Sequence, residues 1–135
     1  MNVLPFMQEL AEALNGSFSE YDDTTTITVL PLEDGRFQSV QGALETLDDG
    51  TTQLMRFSSQ VCPFHESLEF QHFLAENQQL RYTKFTVTDT FVQVESSVFV
   101  DFLNPQNMAY LKSMMLEIAQ VADAWEHKLT GLDVF

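Results

Sequence analysis

The sequence predicts an α+β domain in the order α-β-β-β-α-β-β-α, an antiparallel sheet with its helices packed on one face. Three observations predict it. Two Asp-Gly dipeptides, Asp34-Gly35 and Asp49-Gly50, punctuate apolar/polar alternation as hairpin turns do. Near Tyr82 the spacing of apolar residues changes from helical to alternating. A single apolar stripe then runs through Met108, Leu111, Met115, Ile118, Ala122 and Trp125 to Leu129, the mark of a long amphipathic helix.

Each element follows from local pattern. Pro5 suits a first helical turn, Phe6, Leu10, Ala13 and Leu14 continue at helical spacing, and Asn15-Gly16 stops that helix. If each Asp-Gly is a two-residue turn, the first pairs Glu33 with Arg36, Val29 with Val40 and Ile27 with Gly42. The second pairs Leu44 with Met55, Gly42 with Phe57 and Val40 with Ser59. Both registers put Ile27, Val29, Val40, Leu44, Met55 and Phe57 on a core face, with Thr26, Thr28, Gln41, Arg56 and Ser58 on a wet one. Gly42, in the central strand, leaves room for a large ring or a closely packed helix.

After Cys62-Pro63, Ser67 is the expected N-cap of a helix reaching about Gln79, with Phe70, Phe73, Leu74 and Asn77 along one side. A strand from Tyr82 to Thr88 then meets one from Phe91 to Asp101. The pairs are Val87 with Val92 and Phe85 with Val94 on one face, and Lys84 with Glu95 on the other. The loop between them is either Asp89-Thr90 or the four residues Thr88 to Phe91, with the same register. Asn104-Pro105 opens the last helix and Gly131 closes it.

The bulk numbers bound the function. At 135 residues and 44% apolar composition the chain is expected to form one domain over 1–135 with a real core. Twenty acidic against six basic residues give a net charge of −14, which repels phosphate backbones and anionic lipid, so neither nucleic acid nor a membrane is the expected partner. The start has no basic segment ahead of an apolar one, no apolar run is long enough to span a bilayer, and Cys62 is the single cysteine; a cytoplasmic location is the default expectation.

Catalysis leaves little trace. The sequence holds no Gly-x-Ser-x-Gly elbow, no glycine-rich phosphate loop opening a helix and no His-Glu-x-x-His. Cys62, His65 and His72 with Glu66 form the only cluster mixing metal-capable types, and it lacks the second pair that a zinc site needs. His127, near the end of the last helix, has the helix dipole as its simplest use. Asp22-Asp23 and Asp48-Asp49 read as turn formers. No enzyme activity, metal or cofactor is expected. The competing class is a small metal-dependent or cysteine-based enzyme around Cys62, His65 and His72. A structural subunit that uses the last helix as a seam is a third.

What remains is surface. The registers place Leu32 and Phe37 together on the outer sheet face, with Tyr82, Phe91 and Phe99 on the outer face of the second hairpin. Leu32, Phe37, Phe91 and Phe99 are thus a candidate partner-binding patch, unless the first helix or the tail after Thr130 covers them.

In element order, size and acidity, and in "MRFSSQV", "FLAENQQLRYTKFTV" and "IAQVADAWEHKL", the chain resembles the type III secretion chaperone-like superfamily. Within it the fit is to the YbjN-like branch, described as sensory transduction regulators. The Asn77 near a helix end and the aromatic-bearing strand with Tyr82 and Phe85 match that branch. The resemblance implies a non-enzymatic, homodimeric, protein-binding module. It implies a dimer contact in the region of Phe70, Phe73, Asn77 and Tyr82.

Overall fold

Residues 3–130 are described by a computed structural model. Pro5 in the first turn starts helix α1, Leu4–Ala13, and Asn15, at φ 57°, turns the chain out of it. Strand β1, Ser17–Glu20, follows, then β2, Thr25–Pro31, and β3, Phe37–Thr46. Next come β4, Gln53–Pro63, helix α2, Phe70–Glu76, β5, Lys84–Val87, and β6, Phe91–Phe99. Helix α3, Met108–Thr130, ends the described chain. The expected stop at Gly131 and the tail after Thr130 lie outside the described residues.

The architecture is α+β, with one antiparallel sheet in the strand order β1-β2-β3-β4-β6-β5. It has one strand more than the sequence pattern shows. β1 is a short edge strand, and its residues Ser17, Ser19 and Glu20 are exposed, so no core alternation marks it. α1 and α3 pack on one face over a core that contains Leu10, Leu30, Phe57, Val94, Leu111 and Ile118.

Two of the three expected registers hold. β3 and β4 pair Leu44 with Met55 and Gly42 with Phe57. β5 and β6 pair Lys84 with Glu95, Phe85 with Val94 and Val87 with Val92. The joint between β5 and β6 is closed by the Thr88 amide donating to Phe91 O at 2.8 Å, which leaves Asp89-Thr90 as the two residues between them.

The β2–β3 register is corrected by one residue. Thr28, not Val29, stands opposite Val40, and Thr26, not Ile27, opposite Gly42. The Arg36 amide does donate to Glu33 O, at 3.3 Å, as a two-residue turn requires. The Leu32 amide then donates to Arg36 O at 2.7 Å, so Glu33 is an extra, unmatched residue. One extra residue inverts a strand. Thr26, Thr28 and Leu30 therefore face the core, while Ile27 and Val29 lie half-buried on the outer face.

The core also contains polar side chains. Gln38 is fully buried beside Ser59, donating to its hydroxyl at 2.8 Å, and Ser59 donates to Ser39 O at 2.7 Å. Pairing offsets the burial of Gln38 Nε2 and of the Ser59 hydroxyl, while Gln38 Oε1 has no hydrogen-bond partner among the described residues. At the same end of the sheet Arg36 holds Asp123 of α3 through Nε and Nη2, both at 2.9 Å, and Asp123 is 2% exposed.

Candidate protein-interaction site

The residues named as a candidate catalytic or metal cluster do not converge. Cys62 is buried, and burial pushes its thiol above the usual range because a thiolate would be desolvated there. His65 and His72 are exposed; His65 Nδ1 lies 2.6 Å from Ser67 Oγ, and His72 Nε2 lies 3.3 Å from Glu69. Ser67 is thus engaged with His65 and does not cap α2, which begins three residues later. Among the described residues no group of three or more His, Cys, Asp or Glu side chains is arranged to hold a metal ion.

The acidic pairs behave as turn formers. Asp22 accepts from the Thr24 amide at 2.9 Å, and Asp49 accepts from the Thr51 and Thr52 amides at 3.0 and 2.8 Å and from the Thr52 hydroxyl. These donors favour the charged form and hold both carboxyls below the usual carboxylate range, Asp22 chiefly through the Thr24 amide and Asp49 chiefly through the Thr52 hydroxyl.

The residues expected at a dimer contact divide. Phe73 is 4% exposed and sits between Phe85 and Trp125, with ring centroids 5.0 and 5.2 Å away. Asn77 is not a simple helix-end cap. Its Oδ1 accepts from the Phe85 amide at 2.7 Å and its Nδ2 donates to Phe85 O at 3.4 Å, which staples the end of α2 to β5. Tyr82 packs edge-on against Tyr110 of α3 at 5.0 Å, on the helix side, so it does not belong to the outer face. Burial and internal bonding engage these three within one chain. Phe70 is half-buried, as Asn77 and Tyr82 are, and stacks on Phe64 at 5.8 Å.

The expected patch divides too. Leu32, shifted by the slipped register, packs against the core beside Arg36, Leu116 and Asp123 and leaves the outer face. Phe37 and Phe99, each 57% exposed, and the half-buried Phe91 do lie on it by strand alternation. That face is also lined by Gln41, Gln60, Gln93, Ser39 and Ser58, and α1 and α3 pack on the opposite side.

Its charges cancel. Arg56 donates to Glu95 at 3.0 Å and to Glu45 at 3.2 Å, and Lys84 stands opposite Glu95 in the register. Those carboxylates, Glu95 first, push the guanidinium further above its usual value. Two cations, Arg56 and Lys84, against two carboxylates, Glu45 and Glu95, form a neutral group on a chain of charge −14.

The sequence pattern does not show the surface around α2. Leu74 is 67% exposed, Phe64 38%, Val87 at the sheet edge 48% and Leu129 41%. Leu68, Phe73, Trp125 and Leu129 line a groove of about 230 Å³ with Glu69 and His72 at its rim. No helix of the described residues is long and apolar enough to cross a membrane. The chain matches no known family model and no curated protein.

Proposed function

We propose that the chain is a non-enzymatic protein-binding module, chaperone-like or regulatory, that acts as a homodimer. The observation that supports this reading is the outer face of the sheet, free of helices among the described residues, where charges cancel and Phe37, Phe91 and Phe99 stand among carboxamides and hydroxyls.

Two copies of a chain of charge −14 repel wherever acidic surfaces meet. A twofold contact sets a patch against itself, so it favours a neutral patch whose groups both donate and accept. Gln41, Gln60 and Gln93 are such groups. Six strands about 4.8 Å apart and about seven residues long cover roughly 550 Å² per copy, near the lower end for a specific interface. The reading therefore favours a weak, concentration-dependent dimer through the sheet and moves the self-contact away from Phe73, Asn77 and Tyr82.

Light scattering after size-exclusion chromatography tests it. A dimer mass is expected at roughly tens of micromolar, shifting at least about tenfold toward monomer in Gln41→Glu/Gln93→Glu, because each copy then sets two new carboxylates against its mate. A monomer at the highest soluble concentration would overturn the self-association.

A further inference from the structure

We propose that the surface formed by α2 and the end of α3 docks a partner segment that is both apolar and basic, such as one face of a cationic amphipathic helix. The inference rests on the protein-binding reading above and gives that partner a chemistry.

The centre of this surface is apolar. Phe70 and Leu74, four residues apart on α2, share one helix face, and Phe64 stacks on Phe70. The groove of Leu68, Phe73, Trp125 and Leu129 runs beside them. Large side chains left open around one short helix are more than the scattered apolar surface expected of a folded chain.

The rim decides the occupant. From Cys62 to Leu80 the chain carries Glu66, Glu69 and Glu76 and no lysine or arginine. A cation that reaches this surface is Lys128, whose ammonium lies 4.4 Å from the centre of the Trp125 ring. Its position shows that this ring face accepts a cation beside the apolar groove. Glu69 lines the groove, and Glu66 and Glu76 on the same stretch of chain add to the acidity of this surface. A second copy would set glutamates against glutamates here, whereas a segment with lysine or arginine beside leucine or phenylalanine would meet charge and apolar area together.

The test is fluorescence anisotropy with a labelled amphipathic peptide of lysine and leucine and its glutamate–leucine counterpart, using the full chain at physiological salt. The lysine peptide is expected to bind and the glutamate peptide not to. Leu74→Ala, at a side chain two-thirds exposed, should weaken binding about tenfold, and Glu69→Lys should weaken it at least as much. Asp48→Lys, the same charge change in the β3–β4 turn, should leave it within about twofold. Equal weakening by Asp48→Lys and Glu69→Lys, with none from Leu74→Ala, would reduce the binding to bulk charge and overturn the site. Loss of dimer mass in Leu74→Ala would make a second copy the occupant and overturn it as well. Loss of the dimer in Gln41→Glu/Gln93→Glu with peptide binding intact supports a site separate from the self-contact.

Discussion

The turn at Asp34-Gly35 and the turn at Asp49-Gly50 share a dipeptide, yet the first holds three residues between Leu32 and Arg36 and the second four between Leu47 and Thr52. An even loop leaves strand phase as a two-residue turn would set it; an odd loop inverts it. The anchoring differs as well. The first turn is tied to α3 through Arg36 and Asp123 and buries part of Leu32, whereas the second is held by Asp49 and its own threonines in solvent. Parity, more than the dipeptide, decides which strand face is buried, and the odd loop belongs to the turn with a tertiary anchor.

Removing that anchor should have the largest effect. Arg36→Met leaves the buried Asp123 carboxylate without its guanidinium and should cost about 3 kcal/mol in denaturant unfolding. A loss below about 1 kcal/mol would mean that water supports Asp123 and that the anchor is weak. Gly42 comes next, because it lies in both registers, between Thr26 and Phe57. A Cβ there would stand 2.7 Å from Thr26 Oγ1 and 3.3 Å from Phe57 and Met55, so Gly42→Ala should cost about 2 kcal/mol. Thr26→Ser/Gly42→Ala should not recover it, since the hydroxyl, not the methyl, is the nearest atom.

The strand pairs with cross-strand chemistry were legible in the sequence. Lys84 opposite Glu95 and two apolar pairs fix β5–β6, and Leu44 opposite Met55 fixes β3–β4, each through an even loop. β2 was not legible, because its alternation is blunt: threonine, isoleucine and valine are all β-branched, and Thr26, Ile27, Thr28 and Val29 fit either face. Burying Thr28 instead of Val29 becomes tolerable through packing that no local pattern displays. The same limit applies to the interaction surface. Phe70, Phe73 and Leu74 share a helical face in sequence, and only the packing of Trp125 and Phe85 decides that Phe73 is inside and Leu74 outside.

Smaller changes separate the turns further. Gly35 and Gly50 have φ of 72° and 77° with open space around an added Cβ, so Gly35→Ala and Gly50→Ala should each cost about 1 kcal/mol, purely from the left-handed backbone. A much larger cost at Gly35 would mean that the anchor tightens the turn itself. Acid should loosen the second turn. Asp49 has its folded pKa lowered, so its stabilisation is present above the ordinary value of 3.8 and is lost as pH falls through the lowered one. Amide exchange at Thr51 and Thr52, corrected for its intrinsic rate, should accelerate below about pH 4 in the wild type and show no such step in Asp49→Asn.

Deleting Glu33 should have the smallest effect and is the most direct test of parity. Asp34 and Gly35 already have positive φ, as a type I′ turn requires, and without Glu33 they would form a two-residue turn between Leu32 and Arg36. The Leu32–Arg36 pairing, the opposition of Thr28 to Val40 and the Arg36–Asp123 contact can all persist, so the loss should stay within about 1 kcal/mol. Cross-strand nuclear Overhauser effects between Thr28 and Val40 would read the register directly. If they were replaced by Val29 to Val40, the turn would set the phase of β2 and the anchor would follow it. If they persisted, the buried contacts of Leu30, Thr28 and Asp123 hold the strand in phase, and Glu33 is the slack that lets an Asp-Gly turn accommodate them.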